Sequence, residues 1–238
     1  VYFFLRGGEG MARKIPIKGV IIPNDEQWIY DMFDIEATSP GKVSKLIEDA
    51  NNEDLVVDIN SGGGSVFAGS EIYTALKSYE GHVTIKIVGI AASAASVIAM
   101  AGDKVQMSPT AQIMIHNVST RAEGDHKDMS HTSEILKTAN ETIANAYRIK
   151  SGMDQEDILS MMDYETWLSP AKAKEYGLID EVLFENDIQL VANYDGVGTL
   201  PRETIENIRN KVALEKETEM NKAKAKLKLL NLTVKELE

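Results

Sequence analysis

Val83-Thr84-Ile85-Lys86-Ile87-Val88-Gly89-Ile90-Ala91-Ala92-Ser93-Ala94-Ala95-Ser96-Val97-Ile98-Ala99-Met100-Ala101 is the stretch that decides the fold. Residues 83–89 are rich in Val and Ile and read as a strand, whereas 94–101 read as a short apolar helix that starts almost where the strand stops. A strand that turns directly into a helix is the unit of a β-α-β chain, and the same alternation continues on both sides. Residues 19–23, 54–60 and 111–117 read as further strands, with weaker ones at 104–107 and 179–184.

Helices fill the intervals. Ser39 followed by Pro40 is a helix start, because serine caps and proline suits the first turn. Residues 65–79 carry Val66, Ile72, Tyr73 and Leu76 on one face. From 125 to 150 Ile135, Leu136, Ala139, Ile143, Ala144 and Tyr147 recur at helical spacing, which predicts one long amphipathic helix closed by Ser151-Gly152. Asp154 starts a short helix through 162, and Ser169-Pro170 starts another that Gly177 stops. The expected division is an N-terminal segment 1–18, a folded domain 19–185, a turn-rich linker 186–201 and a charged helical tail 202–238. Residues 1–10 read as a cloning remnant or upstream read-through.

The bulk numbers narrow the function. With 43% hydrophobic and 26% charged residues, the chain can bury a core and is not a disordered one. It has no cysteine, which removes disulfides, thiolate nucleophiles and cysteine-rich zinc sites. A net charge of −12 argues against binding nucleic acid, since phosphates call for a positive field. The charge is uneven: nine Lys/Arg face seven Asp/Glu after Pro201, which leaves −14 on the rest. No apolar run reaches the ~20 residues of a membrane span, and the start has no basic n-region or long apolar run, so no signal peptide is expected. The cytoplasm is the default location. No metal or cofactor is called for; His126 and His131 stand five apart, not the four of a helical metal pair.

Chemistry concentrates where strands end. Asn60-Ser61-Gly62-Gly63-Gly64-Ser65 and Gly89–Ser96 both end a strand and open a helix, Met114-Ile115-His116-Asn117 ends a third strand, and Asp163-Tyr164-Glu165-Thr166-Trp167 lies between two helices. Acyl transfer needs a hydroxyl at an exposed turn, a base in reach, an orienting carboxylate and backbone donors for the oxyanion. Ser93, His116, Glu165 or Asp163, and the glycine run supply those types. Each has a structural alternative: the glycines a plain turn, the alanines close helix packing, His116 a structural histidine, the carboxylates solvated loop charges.

In order along the chain these segments resemble the ClpP family, the proteolytic subunit of Clp proteases, from about residue 19 to 183. Asn60–Val66 is similar to the family's Asn-Ser-Pro-Gly-Gly-Ser-Val with Gly62 for proline, and Gly89–Ser93 to its Gly-x-Ala-Ala-Ser. Met114–His116 is similar to its Met-Ile-His, and Leu168-Ser169 through Gly177-Leu178-Ile179-Asp180 to its C-terminal motif. The resemblance implies Ser93 as nucleophile, His116 as base, and Gly63, Gly64 and Ala94 at the oxyanion and substrate. It places the family's catalytic aspartate on Glu165, with Asp163 in reserve. It implies an α/β fold, the ClpP/crotonase β-β-α superhelix, with 125–150 as a protruding handle through which rings interlock. It further implies polypeptide substrates and stacked double rings, with partnership with an ATPase unfoldase left open.

The longer tail, and a segment before Gly19 unlike the family's axial loop, resemble prophage-encoded members, whose implied task is capsid or scaffold maturation in an assembling phage head. The readings weighed against this are a crotonase-type acyl-CoA enzyme, a Ser–Lys peptidase using Lys150 or Lys137, and an inactive structural ring.

Overall fold

The computed structural model describes residues 12–185; the expected linker, the tail and residues 1–10 lie outside the described residues. The chain order is β1 (Arg13–Ile21), a 3-10 turn at Asn24–Glu26, α1 (Gln27–Met32), β2 (Ala37–Thr38), α2 (Pro40–Glu48), β3 (Leu55–Gly64), α3 (Val66–Lys77), β4 (Val83–Ala92) and α4 (Ala94–Ala99). Then follow β5 (Lys104–Met107), β6 (Gln112–Ile115), α5 (His126–Ser151), α6 (Gln155–Asp163), β7 (Thr166–Leu168), α7 (Pro170–Glu175) and β8 (Glu181–Val182).

The main sheet runs β2-β1-β3-β4-β5-β8 and all its pairings are parallel. Ile15, Ile17, Leu55, Val57, Ile59, Val83, Ile85 and Ile87 alternate along β1, β3 and β4 and are buried. They form the core against which α3 and α4 pack through Ile72, Leu76 and Ile98. Strand β4 changes partner midway. Thr84–Ile87 pair with β5, whereas Ile90–Ala92 pair with β6, which in turn pairs antiparallel with β7. The sheet therefore forks at the carboxyl end of β4.

The strand expected at 19–23 is the end of a longer one that starts at Arg13. Pro16 obscures it in sequence, yet β1 has a neighbour on its far side only at Val20 and Ile21, so the missing N–H falls where that side is an edge. The long helix is present as α5, with Asp125 Oδ1 accepting from the Lys127 and Asp128 amides at 2.7 and 3.2 Å. Gly152 ends it at φ +73°. Its buried residues, Ala144, Ala146 and Tyr147, all lie toward its C-terminal end, and Ile135 is 54% exposed. Among the described residues no helix is long and apolar enough to cross a membrane, and no cluster of His, Cys, Asp or Glu could hold a metal ion.

Candidate active site

Between β4 and α4 a single residue makes the turn. Ser93 sits at φ +54°, ψ −127°, a region that costs a non-glycine residue about 1–3 kcal/mol. The flanking structure holds it there. Its N–H donates to the Met114 carbonyl at 3.0 Å, and its own carbonyl accepts from the amides of Ser96 and Val97 at 2.9 and 3.3 Å. The Ser96 hydroxyl adds a third bond to that carbonyl at 2.6 Å. The alanines on either side are buried, whereas Ser93 is only half-buried, so the sharp turn leaves its side chain accessible.

The fork brings the histidine. In the parallel register Ala92 lies beside Met114, so the residues that follow on the two strands emerge together at their carboxyl ends. His116 Nε2 stands 2.8 Å from Ser93 Oγ. With Nε2 accepting, the imidazole can take the hydroxyl proton, which is the first requirement of a serine nucleophile. Behind His116 the Asn140 side chain accepts from the Val118 amide at 2.8 Å, tying the departing loop to α5.

The glycine run supplies the third wall. The Gly63 N–H donates to Ser61 Oγ at 3.1 Å, and the Ser61 hydroxyl donates to the Gly19 carbonyl at 2.6 Å. Gly63 is thus engaged with buried Ser61, and its place in the site is one of close approach. At φ +95°, a Cβ there would lie 2.6 Å from the Ala92 carbonyl oxygen, 2.7 Å from Ser93 Cβ and 3.0 Å from the Ala94 nitrogen. Gly64 and Ala94 border a cleft of about 80 Å³ with Ser93 and His116. As the first residue of α4, Ala94 has an amide with no partner inside the helix, the condition for an oxyanion donor. Val66 and Ile143 border both this cleft and a larger apolar groove of about 640 Å³ between α3 and α5, where Phe67 is 87% exposed.

The carboxylates are close in the fold but not joined to the imidazole. Glu165 Oε1 accepts from the Trp167 indole N–H at 3.3 Å, and Asp163 Oδ1 from the Asn117 amide at 2.7 Å. His116 Nδ1 has no hydrogen bond among the described residues. The β6–β7 register nevertheless relates them: Ile115 pairs with Thr166, so one step further places Glu165 across from His116. Glu165 has φ +47°, which ends the pairing there.

Sequence reasoning assigned no role to Ser61, Asn117 or Ser96. Ser61 lay inside the glycine motif and Asn117 beside the histidine, so proximity in sequence was the available signal. Ser96 had none until its partner was known, because Tyr147 reads simply as part of an apolar stripe.

Known proteins bear on this arrangement. The Clp protease family profile matches residues 40–186. An ATP-dependent Clp protease proteolytic subunit from Deinococcus radiodurans is 35% identical over 143 residues, spanning 58% of this chain and 70% of that protein. A proteolytic subunit 1 from Chlamydia abortus is 34% identical over 166 residues, with 67% of this chain and 80% of the relative covered. A solved ClpP1 variant from Listeria monocytogenes superposes with a TM-score of 0.60 at 26% identity, covering 72% of this chain and 91% of the other. Fold, strand-end chemistry and similarity over the same segment agree, and the chain belongs to the Clp protease family.

Proposed function

We propose that this member is a serine endopeptidase in which Ser93 attacks the peptide carbonyl and His116 removes the hydroxyl proton and later returns it to the leaving amine. The observation that carries the reading is the 2.8 Å Ser93 Oγ–His116 Nε2 contact at a strained strand-to-helix turn. The amides of Ala94 and Gly64 receive the oxyanion, while Gly63 keeps that wall close. Glu165 is the orienting carboxylate, reached by turning its side chain from Trp167 toward the imidazole it faces across the strand register; Asp163, held by Asn117, is the reserve. The substrate is a polypeptide whose apolar side chains lie in the groove between α3 and α5.

The subunit works in stacked rings joined through α5. It serves as a prophage-type maturation protease on capsid or scaffold protein in the host cytoplasm or assembling head, acting alone or with an ATPase unfoldase. The exposed apolar residues on the N-terminal half of α5 support the ring contact, and the role rests on the resemblance of the sequence's tail and leading segment to prophage-encoded members. One observation favours a second reading, an inactive structural ring: among the described residues no carboxylate is hydrogen-bonded to His116.

A fluorophosphonate probe with peptide mass spectrometry separates the two. Labelling at Ser93, absent in Ser93→Ala, is expected; an unlabelled wild type would leave the structural ring. Cleavage of a co-expressed capsid or scaffold protein, lost in Ser93→Ala, tests the maturation role.

A further inference from the structure

We propose that Tyr147 and Ser96 form a positioning relay that fixes the peptide unit between Ser93 and Ala94 and so aims the Ala94 N–H at the oxyanion; this rests on Ser93 being the nucleophile. The direction of the relay follows from proton counting. Ser96 Oγ lies 2.6 Å from the Ser93 carbonyl oxygen, which can only accept, so the single Ser96 proton is directed there. The Tyr147 hydroxyl, 2.7 Å from the same Oγ, must then be the donor. The chain runs from the Tyr147 O–H to the Ser96 O–H to the Ser93 carbonyl. Ser96 and Tyr147 are 0% and 1% exposed, so water does not substitute for either partner. Burial pushes the Tyr147 phenol well above its ordinary pKa, against a smaller opposing effect of the Ser96 hydroxyl, and keeps it a donor across the working range of a histidine base.

The consequence lies in the geometry of one amide. A trans peptide is planar, and its C=O and N–H point in opposite directions. Pinning the Ser93 carbonyl from behind therefore sets the direction of the Ala94 N–H in front, on the side of the cleft that Ser93 and His116 border. A third bond to that carbonyl also polarises the amide and strengthens the N–H as a donor. Ser93 needs such help more than an ordinary helix start, because its own φ of +54° works against the orientation. The relay begins on α5 and ends at the turn of Ser93: Ser96 holds the carbonyl, and Tyr147 holds Ser96 from the long helix.

The test compares wild type, Ser96→Ala, Tyr147→Phe and the double variant by thermal melt and by fluorophosphonate labelling of Ser93, resolved into a saturating rate and a half-saturating concentration. Ser96→Ala strands a buried phenol and should lower the melt; it should also slow saturating labelling about tenfold, a fraction of the loss from deleting an oxyanion donor, at unchanged half-saturation. Tyr147→Phe leaves the Ser96 bond to Ser93 in place and should label within about threefold of wild type. The double variant removes both partners, so its melt should return toward wild type while its labelling stays as slow as Ser96→Ala. A double variant that recovers rate together with stability would reduce the pair to packing and overturn the relay. An unlabelled wild type would remove the hydrolase reading itself, and the relay with it.

Discussion

Replacing Gly63 by alanine tests how the site is held together, and its effect can be worked from distances. The added Cβ would lie 2.7 Å from Ser93 Cβ and 2.6 Å from the Ala92 carbonyl oxygen, whereas ordinary contact begins at 3.4 Å. Relief requires Ser93 Cβ to move by the difference, 0.7 Å. The φ of +95° adds a penalty of about 1–2 kcal/mol for an L side chain, and overpacking against backbone about 1–3 kcal/mol more. The expected loss of about 2–5 kcal/mol corresponds to a fall of roughly 5–15 °C in Tm for a domain of this size. Because the displaced atoms belong to the nucleophile and the Ala94 amide, labelling at Ser93 should slow by roughly 30- to 100-fold, measured at a temperature where the variant is folded. Gly62→Ala is the control: its Cβ meets nothing within 4 Å, and it should match or slightly exceed wild-type stability with unchanged labelling. A Gly63→Ala protein that labels within about threefold of wild type and melts within roughly 2 °C of it would refute the reasoning.

Ser93→Ala and Ser93→Gly should both abolish labelling and proteolysis with assembly intact, but the glycine variant should melt about 2–5 °C higher, because the pair φ +54°, ψ −127° suits glycine far better than an L side chain; equal melts would remove the strain at the turn. Glu165→Ala should cost more activity than Asp163→Ala, and the reverse order, read as kcat/KM on a fluorogenic peptide, would assign the third residue to Asp163. Asp180→Ala should destabilise by about 2 kcal/mol in denaturant melts, since it strands Lys150, whose side chain is 11% exposed, and the Val105 amide; Lys150→Met should cost less because Asp180 keeps that amide and is 43% exposed. Equal costs for the two would show that the Val105 amide and the stranded Lys150 add nothing beyond the ion pair itself.

Local chemistry made much of the framework legible. Ser169 accepts from the Lys172 amide, and Gly152 and Gly177 end their helices at positive φ, where capping and stop signals had placed them; Ser39 and Asp154 stand at the expected helix starts but make no side-chain cap bond. The turn at Ser93 and the separate strand that ends before His116 were legible for the same reason: strand and helix periods abut there. Elements built on pairing were harder to see. Strand β7 has only Thr166–Leu168, too short for alternation to declare itself, and exists because β6 offers an antiparallel edge. Helix α1 was missed because Trp28, Met32 and Phe33 lie exposed rather than on a buried face, so periodicity had no core to report, and β2 because its two residues are too few to show alternation. The bond between Glu165 and Trp167 was invisible for a different reason: spacing can place a carboxylate across from an imidazole but does not choose its rotamer.

The fork in β4 explains why the serine and the histidine meet at all, and two motif residues, Asn60 and Gly89, sit at it. Ile59 pairs with Ile87, but the next β3 position in register, Ser61, pairs with Ala91, so β4 carries extra residues opposite Asn60. Asn60 fills the gap in the ladder by accepting the Ile90 N–H at 3.2 Å. Gly89 leaves room for that side chain, since a Cβ there would press on Asn60 Oδ1 and disturb its bond to Ile90. This bulge turns the second half of β4 away from β5 and toward β6, and opens a crevice at the carboxyl ends of β3, β4 and β6. In a parallel sheet such a switch point is where a ligand can sit between strand ends. Here the three ends deliver the Gly63-Gly64 wall, Ser93 and His116 in turn. Asn60 and Gly89 therefore belong with the site's motifs because they lie at the bend of the strand that presents Ser93.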